Sequence, residues 1–280
     1  MPSAVRAPGW KRLWRHSYRI GLAWLVRDAP RLWTARRAGL VRLLVPLDPW
    51  RYYELGSVAD ERFSGRCLDV SSPKLLPSLL QREGRGTWTC IDLFAAEIDA
   101  WRRIDPSLDL AVADATALPY ADATFDCCAC VSVLEHVGRG ADATALAEIW
   151  RVLKPGGTLV LTTDVGAEPR DVFTAEGMYG EASGRGDERG VFFEHEYSPE
   201  ELTELFAGSG WEVERQEYAV QRDPGIERRF YARAPWSYAY GPLLRLVCPG
   251  NVRVSATPDL IHQHGRGVAL LRLRKPGQSG

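Results

Sequence analysis

Short apolar runs alternate with helix-length amphipathic segments over residues 63–166. Arg66-Cys67-Leu68-Asp69-Val70 opens the series. Thr87-Trp88-Thr89-Cys90-Ile91-Asp92, Leu108-Asp109-Leu110-Ala111-Val112-Ala113-Asp114 and Val131-Ser132-Val133-Leu134-Glu135-His136 follow. Runs this short, rich in apolar and β-branched residues, read as the parallel strands of an α/β sheet. The pattern predicts strands at 66–70, 87–92, 109–113, 125–132 and 158–163. Helices are predicted at 73–83, 95–104 and 141–152. In the last of these, Leu146, Ile149, Trp150 and Leu153 share one face. Lys154-Pro155-Gly156-Gly157 then stops the helix and turns the chain.

Outside this stretch the pattern changes. Trp10, Leu13, Trp14, Ser17, Tyr18, Gly21, Trp24 and Leu25 keep three-and-four spacing, so 9–28 predicts a helix that Pro30 ends or kinks. A second basic segment carries Leu32, Trp33, Leu40, Val41, Leu44 and Val45, and an aromatic bridge follows at 46–62. Six glycines interrupt 166–190, which reads as a flexible lid or a surface excursion. Ser198-Pro199-Glu200-Glu201 is a helix start, with Ser at the cap, Pro in the first turn and Glu three residues on. Strands are expected at 211–220 and 268–273, separated by an insertion over 221–266. The chain thus divides into a Trp-rich helical extension, 1–50, and a main domain, 51–280, with a tail at 277–280 expected to be disordered.

Charge alters the reading of the extension. The net charge is −1, yet residues 1–45 hold ten Lys or Arg against one acid, Asp28, and so carry +9. Two uses compete: a helical cap docked on the main domain, or a basic, Trp-rich element lying on an anionic membrane surface through residues 9–45. Nucleic-acid binding is a third, disfavoured use. No apolar run reaches the length of a membrane span, and Lys11, Arg12, Arg15 and Arg19 break the pattern of a cleavable signal. The six cysteines, five of them in or beside predicted strands, read as small core residues in a reducing compartment. Cys127, Cys128 and Cys130 alternate along a strand and cannot converge easily on one metal. The expected location is cytoplasmic, with peripheral attachment at the inner membrane surface as the variant that the basic extension would allow.

The candidate chemistry lies at strand ends. Asp69, Asp92 and Asp114 all close predicted parallel strands, and ligands of such sheets bind outside those ends. A carboxylate there can accept hydrogen bonds from a ribose diol or an adenine amine. A dinucleotide would also need a glycine-rich turn at a helix N-terminus. The turn here is Ser71-Ser72-Pro73-Lys74, with no glycine before Gly84, which favours an adenosine ligand without phosphate.

The order Leu68-Asp69-Val70, Ile91-Asp92, Ala113-Asp114-Ala115, Phe125-Asp126, Leu134-Glu135-His136 and Arg151-Val152-Leu153-Lys154-Pro155-Gly156-Gly157 resembles class I S-adenosylmethionine-dependent methyltransferases, in particular the small-molecule branch that includes quinone-biosynthesis enzymes. The resemblance covers about 62–166 well and 190–275 loosely. It implies a Rossmann-like, seven-stranded sheet of order 3-2-1-4-5-7-6 with strand seven antiparallel. It implies S-adenosyl-L-methionine as cofactor, held by Asp69, Ser71, Asp92, Leu93, Asp114, Ala115 and Ser132. The acceptor would be a small or lipid-linked molecule methylated at oxygen. One departure stands out: Ser71-Ser72-Pro73 replaces the family's Gly-x-Gly turn, and Pro73 removes a backbone donor.

A hydroxyl acceptor must lose a proton, so a base is expected near the ends of strands four and five. His136 and His195 are the candidates; beside the catalytic reading, His136 can be a pocket wall or structural donor, and His195 a surface residue of a loop that leads into the next helix. His262 and His264 lack an evident third partner, so no metal site is assigned. A binding protein without turnover and a nicotinamide oxidoreductase remain as alternatives, the latter disfavoured by the missing glycine fingerprint.

Overall fold

Alternation along each strand decides which layer a residue joins. Cys67, Cys90, Cys127 and Ala129 pack with Leu55, Leu76, Leu80, Ile98 and Trp101 on one face of the sheet. Their sequence neighbours Leu68, Ile91, Cys128 and Cys130 pack with Leu146, Ile149, Leu202 and Phe206 on the other. Two cores on opposite faces of one sheet make a three-layer α/β/α arrangement. The computed structural model describes residues 9–28, 44–138, 140–175, 188–234 and 236–277.

The main sheet runs through β1 (Arg66–Val70), β2 (Thr87–Asp92), β3 (Asp109–Val112), β4 (Phe125–Val131) and β5 (Leu153–Gly166). After the β6–β7 pair (Arg170–Thr174 and Val191–Glu196) it continues with β8 (Glu212–Gln221), β9 (Val252–Ser255) and β10 (Arg266–Arg274). The order is β3-β2-β1-β4-β5-β10-β8-β9, with β10 antiparallel to both neighbours. The expected order is present, but the sheet has eight strands rather than seven. The eighth is β9, a four-residue segment of the 221–266 insertion that pairs antiparallel with β8 and covers what would be an open edge. β5 is also longer than predicted at both ends: Leu153 pairs with Phe125 of β4 at its start, and pairing with β10 continues to Gly166 at its end.

The helices are α1 (Gly9–Asp28), α2 (Glu54–Asp60), α3 (Leu75–Arg82), α4 (Ala95–Ile104), α5 (Asp142–Val152), α6 (Pro199–Phe206), α7 (Gly225–Ala232), α8 (Leu244–Val247) and α9 (Asp259–His264). α1 docks on α2 and α3. Leu13 is fully buried, and the Trp10 ring lies 5.6 Å from that of Tyr52. A Cβ on Gly9 would overlap the Gly56 carbonyl oxygen, so glycine sets how closely the two helices approach. Arg12 then bonds Glu83 at 2.6 Å and Asp60 at 3.0 Å. Leu22 and Val26 stay exposed. Trp33 and most of the second basic segment lie outside the described residues.

Part of the segment expected as a lid is ordered structure. Arg170–Thr174 pairs antiparallel with Val191–Glu196 as a separate two-stranded sheet. Residues 176–187 of that segment lie outside the described residues. His195 therefore sits on a strand and not in a loop. All six cysteines are buried and free.

Candidate functional site

Parallel pairing of β1, β2 and β3 brings Asp69, Asp92 and Asp114 to one edge of the sheet. Asp69 is the penultimate residue of β1 and fully buried, while Asp92 closes β2 and is nearly so. Asp114 lies just past β3, exposed, and its Oδ1 accepts the Thr116 N–H and hydroxyl, both at 2.8 Å. Leu93 is exposed beside Asp92, and Ala115 is half-buried beside Asp114.

One residue of the turn after β1 takes the left-handed conformation that glycine favours. Ser71 has φ of 50°, a left-handed conformation that costs a non-glycine residue about 1–2 kcal/mol. Its N–H donates to Ile91 O at 3.0 Å, extending the ladder past Val70. Ser72 Oγ accepts the Val131 N–H at 2.9 Å, which ties the turn to the end of β4. Ser132, one residue past β4, also has φ of 50°.

Lys74 occupies the space between the first two acids. Its Nζ lies 2.9 Å from Asp69 Oδ2 and 3.2 Å from Asp92 Oδ2, and it donates to Ser72 O at 2.8 Å. Its side chain is fully buried. Burial works against the ammonium, but Asp69 and Asp92 outweigh it and hold the lysine pKa above its usual value. Asp92 Oδ1 meanwhile accepts the Phe94 N–H at 3.1 Å. Sequence reasoning missed Lys74, since a lysine after a turn proline carries no sign of burial.

A second polar knot closes the β4–β5 side. Glu54 Oε1 accepts Ser132 Oγ at 2.6 Å and Thr162 Oγ1 at 3.0 Å, and its other oxygen meets Arg51 at 2.9 Å. Glu135 is buried and accepts the Thr163 hydroxyl at 3.0 Å. Burial, reinforced by Asp164, raises its carboxyl well above the usual range. A cavity of about 420 Å3 borders Lys74 of the first knot and Arg51 of the second. Pro73, Lys74 and Arg51 line it with Asp48 and Glu97, and Trp101, Phe230, Tyr231 and Tyr238 form its aromatic walls.

The two candidate histidines differ. His136 is half-buried, its ring 4.9 Å from Phe193, with Nδ1 2.8 Å from Phe193 O. A carbonyl can only accept, so Nδ1 carries the proton and Nε2 the lone pair. Burial lowers its pKa, which keeps the ring neutral near pH 7. His195 has carboxylates on both nitrogens, Asp171 at 2.7 Å and Glu201 at 3.0 Å. Burial opposes its charge, but the two acids prevail and raise the pKa. A doubly paired imidazolium has no lone pair to take a proton. The Glu201 carboxylate is thus turned to His195, while its N–H bonds the Ser198 cap at 3.0 Å. His262 meets only Glu200, at 3.5 Å, among the ion pairs of the described residues, and no group of metal-ligating side chains is found among them.

Residues 68–161 match the family model described as a methyltransferase domain. The chain is 34% identical over 113 residues to a demethylmenaquinone methyltransferase of Streptomyces avermitilis, covering 40% of this chain and 47% of that one. It is 39% identical over 71 residues to the Renibacterium salmoninarum protein of the same name, covering 25% and 29%. The chain thus spans less than half the length of these curated relatives. Among solved structures, an S-adenosylmethionine-dependent methyltransferase of Thermotoga maritima superposes with a TM-score of 0.51 at 18% identity, covering 94% of this chain and 99% of that one. One from Methanosarcina mazei gives 0.51 at 14%, covering 81% and 99%. At such identities the likeness is one of fold.

Proposed function

We propose, for a chain that carries a class I methyltransferase domain over residues 68–161, that it transfers the methyl group of S-adenosylmethionine to an oxygen of a small aromatic or lipid-linked acceptor. The observation that carries this reading is the row of acids at the ends of β1, β2 and β3 beside an aromatic-walled cavity. Asp92 would accept the ribose hydroxyls and Asp114 the adenine amine, with Leu93 and Ala115 against the base. Asp69, Ser71 and Ser132 border the amino-acid end. The left-handed Ser71 and the adjacent acids fit this group; Lys74, between two of the acids, is the feature it must accommodate.

S-adenosylmethionine supplies a methyl already bound to a good leaving group. The chain's own work is to align the acceptor, exclude water and take a proton. His136, neutral with its lone pair on Nε2, suits the last task better than His195 does. Trp101, Phe230, Tyr231 and Tyr238 suit an aromatic acceptor, in keeping with relatives named for demethylmenaquinone. Calorimetry with S-adenosylmethionine, S-adenosylhomocysteine and NADH tests the reading. Saturable binding of the first two but not NADH is expected; binding of NADH alone would overturn it. Binding without turnover on any hydroxylated aromatic acceptor would leave a non-catalytic binding protein.

The lipid-linked variant draws support from α1. Lys11, Arg15 and Arg19 are exposed, as are Leu22 and Val26. At about 100° per residue, these five fall within roughly a quarter of the helix circumference. A docked helix can therefore still offer a basic and apolar stripe to an anionic membrane surface.

A further inference from the structure

The ammonium of Lys74 fills the space between the carboxylates of Asp69 and Asp92. Its Nζ donates to Asp92 Oδ2 and Ser72 O and forms an ion pair with Asp69 at 2.9 Å, and its side chain is sealed from solvent. The turn around it offers little else to the amino-acid end of a ligand. Ser71 N–H is committed to Ile91 O, and Pro73 has no N–H. A ligand that carries both a ribose diol and an ammonium must therefore share the two acids with Lys74 or displace it.

We propose that Lys74 is a built-in occupant of the crevice, exchanged for the ammonium of the incoming ligand. This rests on the reading that the crevice takes an adenosine bearing an amino acid. One cation replaces another between Asp69 and Asp92, so the buried acids are never left unpaired, which is the costly alternative. Lys74 has somewhere to go: the residue borders the adjoining cavity, where Asp48 and Glu97 offer carboxylates. The residue thereby sets ligand choice. Neutral adenosines compete with it only weakly, and an ammonium-bearing adenosine must outcompete it. Ser71-Ser72-Pro73-Lys74 then serves as a selective latch in place of a glycine cradle.

The test compares two probes on two proteins. S-adenosylhomocysteine carries the ammonium; 5′-methylthioadenosine has the same nucleoside without it. In Lys74→Met, S-adenosylhomocysteine should bind at least tenfold more tightly than to the unaltered chain, while the affinity for methylthioadenosine changes less than twofold. Lys74→Gln, which keeps hydrogen-bonding groups, should move in the same direction. Unchanged or weaker S-adenosylhomocysteine binding by folded variants overturns the proposal and makes Lys74 a fixed strut or a ligand contact. If both variants fail to fold alone, S-adenosylhomocysteine should restore a cooperative melt and methylthioadenosine should not. Equal rescue by both, or none, overturns it as well. Failure of the underlying reading looks different: neither adenosine would bind any of the proteins.

Discussion

Ser132 donates a 2.6 Å hydrogen bond to Glu54, 78 positions away, and so fastens the end of β4 to the helix that covers it. The same carboxylate oxygen accepts from Thr162 on β5, and the other faces Arg51. Glu54 is almost fully buried. Glu54→Ala would remove the acceptor of two hydroxyls and the nearer of the two carboxylates that Arg51 meets, the other being Asp48 at 3.8 Å. Because Arg51 is partly exposed, the expected loss is toward the lower end of the roughly 3–5 kcal/mol typical of a broken buried pair. Glu54→Gln keeps an acceptor and should lose less. Urea unfolding measures both, and equal stabilities for the two variants would contradict the hub assigned to Glu54.

Asp92 is the residue on which ligand affinity should depend most. Removing a partner from ribose hydroxyls costs roughly 1–3 kcal/mol, about 5- to 150-fold in affinity. Asp92→Ala should show that loss for S-adenosylhomocysteine and for methylthioadenosine alike, because both carry the diol. Lys74 retains Asp69 in this variant, so its fold should persist. Unchanged affinity in a folded variant would remove Asp92 from the site.

The sheet was legible because its strands are short apolar runs whose neighbours must point to opposite faces. Acids at the ends of β1 and β2 could be placed from that alone. What hid was long-range pairing. Nothing near Lys74 announces that Asp92, 18 positions on, will share its charge. β9 escaped notice because Val252–Ser255 is four residues long in a proline-rich insertion. His195 looked like a loop residue poised to act. Its partners, Asp171 on a paired strand and Glu201 on α6, became visible only once β6 met β7.

Two histidines should leave opposite marks on stability against pH. His195 has a folded pKa raised above its unfolded value near 6.5. Its contribution is therefore full below about pH 6.5 and lost as pH rises through the folded value. His195→Gln should cost more stability at pH 6 than at pH 8.5. His16 is buried against Ser78 at 2.8 Å, and burial lowers its pKa to about 4. The unfolded chain then binds the extra proton between about pH 6.5 and 4, so stability falls as the solution is acidified through that window. Relative to His16→Gln, the unaltered chain should lose roughly 1–2 kcal/mol between pH 7 and 5. Melting temperatures from about pH 5 to 8.5 decide both, and parallel curves for variant and parent would refute the assignment concerned.

The exposed stripe on α1 can be tested without touching the side that docks. Leu13, Trp10 and Arg12 hold the helix to the domain, so deleting it would confuse anchoring with folding. Lys11, Arg15 and Arg19 lie on the outer side. Near an anionic bilayer each contributes about 1 kcal/mol, and Leu22 and Val26 can enter the headgroup region beside them. Replacing the three cations with glutamate should abolish co-sedimentation with phosphatidylserine-containing vesicles. It should leave the melting temperature within a few degrees, since none of the three makes an ion pair among those of the described residues. Leu22→Asp with Val26→Asp should weaken pelleting even at low salt, where charge attraction alone is strongest. Pelleting that survives the charge reversal would assign the attachment elsewhere on the molecule. No pelleting by the unaltered chain at any salt would end the membrane reading and leave α1 as a docked cap alone.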